Sequence, residues 1–170
     1  MLHILSIALA LQLHNFAGAT PAVVRDVEQE LTRVYGDIGV RVEWDRTAAE
    51  QPENLTAIRV ILLPRETGDL ERTFGEVMGA TVWTATGTPV VYVFYRRVQM
   101  EAERYAVSVS VVLACALAHE LGHVLMPQRG HSREGLMRAC WNGDDFHRAN
   151  QGQLRFLPEQ AALIRARLAP

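Results

Sequence analysis

The chain has no lysine: all 17 of its basic residues are arginine. Those arginines are scattered (Arg25, Arg41, Arg59, Arg72, Arg104, Arg165) and form no run, and the net charge is only -2. No electrostatic footprint for nucleic acid is present. With only two cysteines, Cys115 and Cys140, a disulfide framework is excluded, although one bridge is not. Cys115 sits in a very apolar run, where a free buried thiol is the default. No run reaches the ~18 apolar residues that a membrane-spanning helix needs. Repeats, low-complexity tracts and long linkers are also missing. At 170 residues the chain therefore reads as a single domain, 1–170, large enough to bury a core without staples.

The apolar start, Met1 to Leu13, precedes the small residues Ala17-Gly18-Ala19. It reads either as an atypical signal peptide lacking a basic n-region or as a first strand, Ile7 to Asn15. The first alternative implies secretion and the second a cytoplasmic protein. Thr20-Pro21 is a helix start, a capping hydroxyl followed by proline in the first turn. Val23, Val27, Leu31, Val34 and Ile38 follow at helical spacing, and Gly36 and Gly39 offer stops. Val40 to Trp44 alternates as a half-buried strand does. Ala57 to Leu63 is a second strand, and 65–79 an irregular loop. Ala80 to Thr84 and Val90 to Tyr95 are strands joined by a hairpin connection at 85–89. One long helix is expected over Gln99 to Leu125 and a final one over Pro158 to Leu168. The order β-α-β-β-β-β-α-α predicts an α+β layered fold, a mixed sheet packed on a long buried helix plus a C-terminal helix.

Within the expected long helix stands His119-Glu120-Leu121-Gly122-His123. Residues four apart share a helix face, about 6 Å apart along the axis, so both imidazoles can address one ion. Glu120, one step round, reaches a water at that ion without ligating it. Two histidines and a glutamate in so apolar a helix are costly to bury without such a purpose. Gly122 costs helix propensity, which makes sense if another element packs closely there. A catalytic zinc needs a third protein ligand and an open position. Pro127 ends the helix and Gly130 lets the chain reverse, which favours His131. His147, Asp144, Asp145 and Glu134 are rival donors, while His3 and His14 read as structural or terminal.

The stretch from His119 to Trp141, about an eighth of the chain, resembles the metzincin clan of zinc endopeptidases. There a HExxHxxGxxH helix-turn precedes a methionine turn. His119, Glu120 and His123 match, and Gly135-Leu136-Met137 resembles the methionine turn, with Met137 a packing floor and not a ligand. Met126 stands where that pattern has glycine. Arg129 stands where it has the third histidine, and Gly130-His131 follows through a longer loop. The resemblance implies a metzincin-like fold and a zinc peptidase with Zn2+ on His119, His123 and His131, Glu120 as general base, and a peptide or protein substrate. It further implies an edge strand that binds extended peptide, for which Ala80 to Thr84 is the candidate, with Trp83 and Trp141 candidate subsite walls. Two other classes remain open: a zinc hydrolase of a non-peptide substrate, and a non-catalytic zinc-stabilised binding domain closed by Cys140 or Cys115. The oligomeric state is not legible.

Overall fold

A computed structural model describes residues 7–45, 57–65, 77–127 and 130–169. Five strands, β1 (Ala8–Asn15), β2 (Arg41–Trp44), β3 (Ile58–Leu63), β4 (Gly79–Trp83) and β5 (Pro89–Phe94), form one sheet in the order β2-β1-β3-β5-β4. Only the β4–β5 pair is antiparallel, so the sheet is mixed, as expected for an α+β chain. Five helices complete the described fold: α1 (Pro21–Gly36), α2 (Tyr95–Arg104), α3 (Val109–Leu125), α4 (Gly143–Asn150) and α5 (Pro158–Leu168). No helix among the described residues is long and apolar enough to cross a membrane. Most of the expected loop 65–79, and His3, lie outside the described residues.

The apolar start is a strand over its described part. β1 pairs with β2 on one side and β3 on the other, and Leu9 and Leu11 are buried in the core. Continuous apolar character suits a strand flanked by two parallel neighbours. α1 begins as expected, with Thr20 Oγ1 accepting from Val23 N at 3.3 Å and proline in the first turn. Its core stripe is Val27, Leu31, Val34 and Tyr35.

The single long helix expected over Gln99 to Leu125 is instead two. α2 closes with the Val107 amide donating to Ala102 O and the Ala106 amide to Glu103 O. This is a Schellman arrangement, and Ala106 takes the left-handed position at φ 50° that glycine usually occupies. Without the glycine, the sequence gives no stop signal there. Tertiary contacts hold the break: Tyr105 stacks on Phe146 of α4 with ring centroids 4.5 Å apart, and Asn150 Oδ1 accepts from the Ser108 amide.

α4 begins within the polar stretch Asn142-Gly143-Asp144-Asp145, whose composition reads as a loop. Asn142 and Asp145 form a reciprocal capping box, and Asp145 is also paired with Arg138 at 2.8 Å. A capping residue with a carboxylate three positions on is a helix-start pattern, hidden here by the turn-like composition Asn-Gly-Asp-Asp.

α3 is the centre of the molecule. It lies against α1, α2, α4, α5, β4 and β5, and every residue from Val112 to Gly122 is buried. A helix surrounded in this way needs no polar face, which is why its sequence shows no amphipathic stripe.

Cys115 and Cys140 are both free, the first buried and the second exposed. Burial is the main cause pushing the Cys115 thiol up to about 12, with Glu30 adding to it and Arg33 opposing. Because the thiolate is the reactive species, a disulfide-exchange reagent is expected to titrate one thiol in the folded protein, Cys140, and two after denaturation. Two fast equivalents from the folded chain would contradict this packing.

Candidate metal centre

His119 and His123 project from consecutive turns of α3, and His131 returns to them from the following loop. One nitrogen from each can be chosen so that all three lie within 4.8 Å of one another. The ring centroids are 4.8, 5.2 and 4.9 Å apart. Nε2 of His119 and Nε2 of His123 are separated by 3.1 Å. A tetrahedral site with ~2.0–2.1 Å bonds has an edge of about 3.3 Å, so this pair is spaced as two ligands of one ion would be.

The loop carrying His131 also orients His119. His119 Nδ1–H donates to Leu136 O at 2.8 Å, which leaves the lone pair on Nε2, facing His123 Nε2. Trp141 Nε1–H donates to the same carbonyl at 3.2 Å. The Ser132 amide donates to Met137 O at 2.9 Å and the Leu136 amide to Arg155 O at 2.8 Å. Gly135 sits at φ 75°, and a Cβ there would meet Arg155 O at 2.9 Å, so this tight passage requires glycine. The three residues Gly135-Leu136-Met137 thus place one carbonyl on His119 and one side chain beneath α3. Met137 is fully buried, and a Cβ added at Gly122 would lie 2.4 Å from its Sδ. This is the close approach that a glycine inside the motif anticipates.

Glu120 is buried and faces β4, where Thr81 Oγ1 lies 2.9 Å from its Oε2. Burial pushes its carboxyl up to about 7 against the opposing Thr81 hydrogen bond. His119 is pushed down to about 4, first by burial and then by His123 and His131, while its bond to Leu136 works the other way. A neutral imidazole is the form that ligates metal.

These groups open on a cleft of about 690 Å³ whose wall includes Met78, Trp83, Met100, Trp141 and Phe146. Trp83 and Trp141, the two candidate subsite residues, therefore both line it. Of the rival donors, His147 is exposed and bonded through Nδ1 to Gly143 O at 2.7 Å, and Asp145 is engaged by Arg138 and the Asn142 amide. Glu134 and Asp144 are exposed. His14 bonds to Gln12 and stacks on Phe16. Among the described residues, the metal-capable cluster consists of the three histidines alone and includes neither cysteine, so the donor set fits a metal ion with an open position. Thr81, Gly79 and the Leu136 carbonyl were missed from the sequence. Thr81 and Gly79 lie about 40 residues from Glu120 along the chain, and a backbone carbonyl carries no sequence signal.

No family model matches the chain and no curated protein matches it. Solved structures that match include the GM1-bound form of the ECX AB5 holotoxin. That chain has a TM-score of 0.47 and 11% identity, over 95% of this chain and 80% of that one. A likeness at that level carries no argument about this site.

Proposed function

We propose that the chain is a zinc metallopeptidase of metzincin-like type. The observation that carries the reading is the convergence of His119, His123 and His131 with Glu120 adjacent, on the wall of an open cleft. A metal held for structure alone is closed by a fourth protein ligand, and here the fourth side faces the cleft. Zinc suits three imidazole donors, and when bound it supplies Lewis acidity that activates water and polarises a carbonyl.

The chain's own residues do the rest. Glu120 accepts a proton from the attacking water and delivers it to the leaving amine. Leu136 O holds His119 in the tautomer that presents Nε2. Met137 packs beneath the ligand turn, the role of the floor in a methionine turn. β4, the outer strand of the described sheet beside β5, offers its edge for an extended peptide by strand addition. The apolar walls at Trp83 and Trp141 receive side chains.

The test is cleavage of a diverse peptide pool by the zinc-loaded protein, read by mass spectrometry, with and without chelator. Cleavage that disappears on chelation and returns with stoichiometric zinc is expected. A protein that binds one zinc and cuts nothing in the pool would overturn the peptidase reading.

A further inference from the structure

We infer that Thr81 and Gly79 of β4 form a socket that positions the Glu120 carboxylate, an inference that rests on the peptidase reading of the same site. Side chains alternate along a strand, so Gly79 and Thr81 share one face of β4. Their cross-strand partners, Val93 and Val91, are fully buried, and α3 packs against both strands. Each of the two residues meets Glu120 differently.

At Gly79 the contact is made by the missing side chain. A Cβ there would lie 2.8 Å from Glu120 Cγ, 3.2 Å from Glu120 Cδ and 3.1 Å from Tyr92 O. Tyr92 O is backbone of the adjacent strand and cannot yield. The Glu120 stem therefore runs through space that only glycine leaves open.

At Thr81 the contact is a hydroxyl. Thr81 Oγ1 lies 2.9 Å from Glu120 Oε2 and 3.0 Å from Glu120 O. A hydroxyl has one proton to donate. With two acceptors in reach, the ionised carboxylate is the stronger claimant. The main-chain oxygen of Glu120 is the alternative acceptor for that one proton, so the hydroxyl stays within reach of both the backbone and the side chain of the same residue.

Glu120 is thus located at its stem by Gly79 and at its tip by Thr81. The strand that holds the base is also the strand whose edge would take the peptide. A displacement of β4 moves base and substrate together and preserves the distance between them. Positioning of this kind acts on turnover more than on substrate affinity, since a displacement of about 1 Å at a reacting group can cost on the order of 10²-fold.

The experiment compares Thr81→Val and Thr81→Ser in the zinc-loaded full chain. Valine keeps the shape without the hydroxyl. It is expected to lower kcat by roughly 10- to 100-fold with KM and zinc content nearly unchanged. Serine restores the hydroxyl and is expected to recover kcat to within about threefold. Gly79→Ala is expected to lower kcat in the same way, and where it fails to fold the Thr81 pair still decides the matter. Full kcat in Thr81→Val, or equal losses in the valine and serine variants, would overturn the inference.

A second measurement separates this inference from the peptidase reading. Unfolding midpoints of Thr81→Val, Glu120→Ala and the double variant are compared in the metal-free protein. Non-additive midpoints support the socket and additive ones overturn it, whether or not the wild type cleaves peptide.

Discussion

Glu120→Gln is expected to abolish peptide hydrolysis, by about 10³-fold or more, while one zinc per chain is retained. Glutamine preserves the volume of the buried side chain and an oxygen within reach of Thr81, but it cannot accept the proton of the attacking water. General acid–base groups contribute about 10²–10⁴-fold in rate, and Glu120 acts twice in the proposed cycle. The three histidines do not depend on it, so metal content separates loss of the base from loss of the site.

The same substitution has a second expected consequence, in the metal-free protein. Burial holds the Glu120 carboxyl at about 7 in the folded state, against an ordinary 4.5. The folded chain therefore binds this proton more tightly than the unfolded chain. That contribution to stability is fully present below pH 4.5 and is lost as the pH rises through 7. Glutamine has nothing to lose. Chemical denaturation under chelator should show Glu120→Gln gaining on the wild type between pH 4.5 and 7.5, by on the order of 3 kcal/mol at 1.36 kcal/mol per pKa unit. His119 titrates with the opposite sign, since its folded value of about 4 lies below the ordinary 6.5. It is present in both proteins and drops out of the difference to first order. A variant with more than a tenth of wild-type turnover would remove Glu120 from the base role. A pH-independent stability difference would mean that its carboxyl is solvated.

Gly122→Ala is expected to destabilise the fold and to weaken zinc binding, although helix propensity alone favours alanine by about 1 kcal/mol. The new Cβ would stand 2.4 Å from Met137 Sδ, 3.1 Å from Met137 Cε and 3.3 Å from Phe156 Cε1. Met137 is fully buried and Phe156 nearly so, so neither yields into solvent. Overpacking of this kind costs about 1–3 kcal/mol, and each 1 kcal/mol lowers Tm by roughly 2–4 °C at this chain length. Displacing Met137 also drags the adjacent Leu136 carbonyl away from His119 Nδ1. Loss of such an orienting partner costs about 10- to 100-fold in metal affinity.

The decisive comparison is Gly122→Ala combined with Met137→Ala. Met137→Ala alone opens a cavity at a cost of about 2–5 kcal/mol. In the double variant the new methyl enters space that the methionine has left. The double variant should therefore be more stable than the sum of its parts by more than about 1 kcal/mol. Strict additivity would show that Gly122 and Met137 are not the packed pair described here.

Much of the architecture was legible because the strongest local signals agreed with the tertiary outcome. Thr20-Pro21 starts α1, and the apolar spacing from Val27 to Val34 gives its buried face. The strands at 41–44, 58–63, 79–83 and 89–94 fall within a residue of the expected bounds. Two features escaped. The break between α2 and α3 uses alanine in a position that glycine normally marks. The α4 capping box carries no distinct local signal, because asparagine and aspartate serve turns and helix starts alike.

The sequence by itself determined which side chains can do chemistry: two histidines four apart on a helix, the glutamate between them, and a histidine beyond a reversal. Those follow from the 3.6-residue period and from the turn chemistry of proline and glycine, which act locally. Tertiary structure alone decided how the groups are held. It brings His131 within reach of the pair, puts the Leu136 carbonyl on His119, seats Met137 against Gly122 and sets Thr81 against Glu120. These contacts join segments 8 to 39 residues apart, and no periodicity encodes them. They depend on where a buried helix, an outer strand and a tight loop come to rest when the core closes around α3.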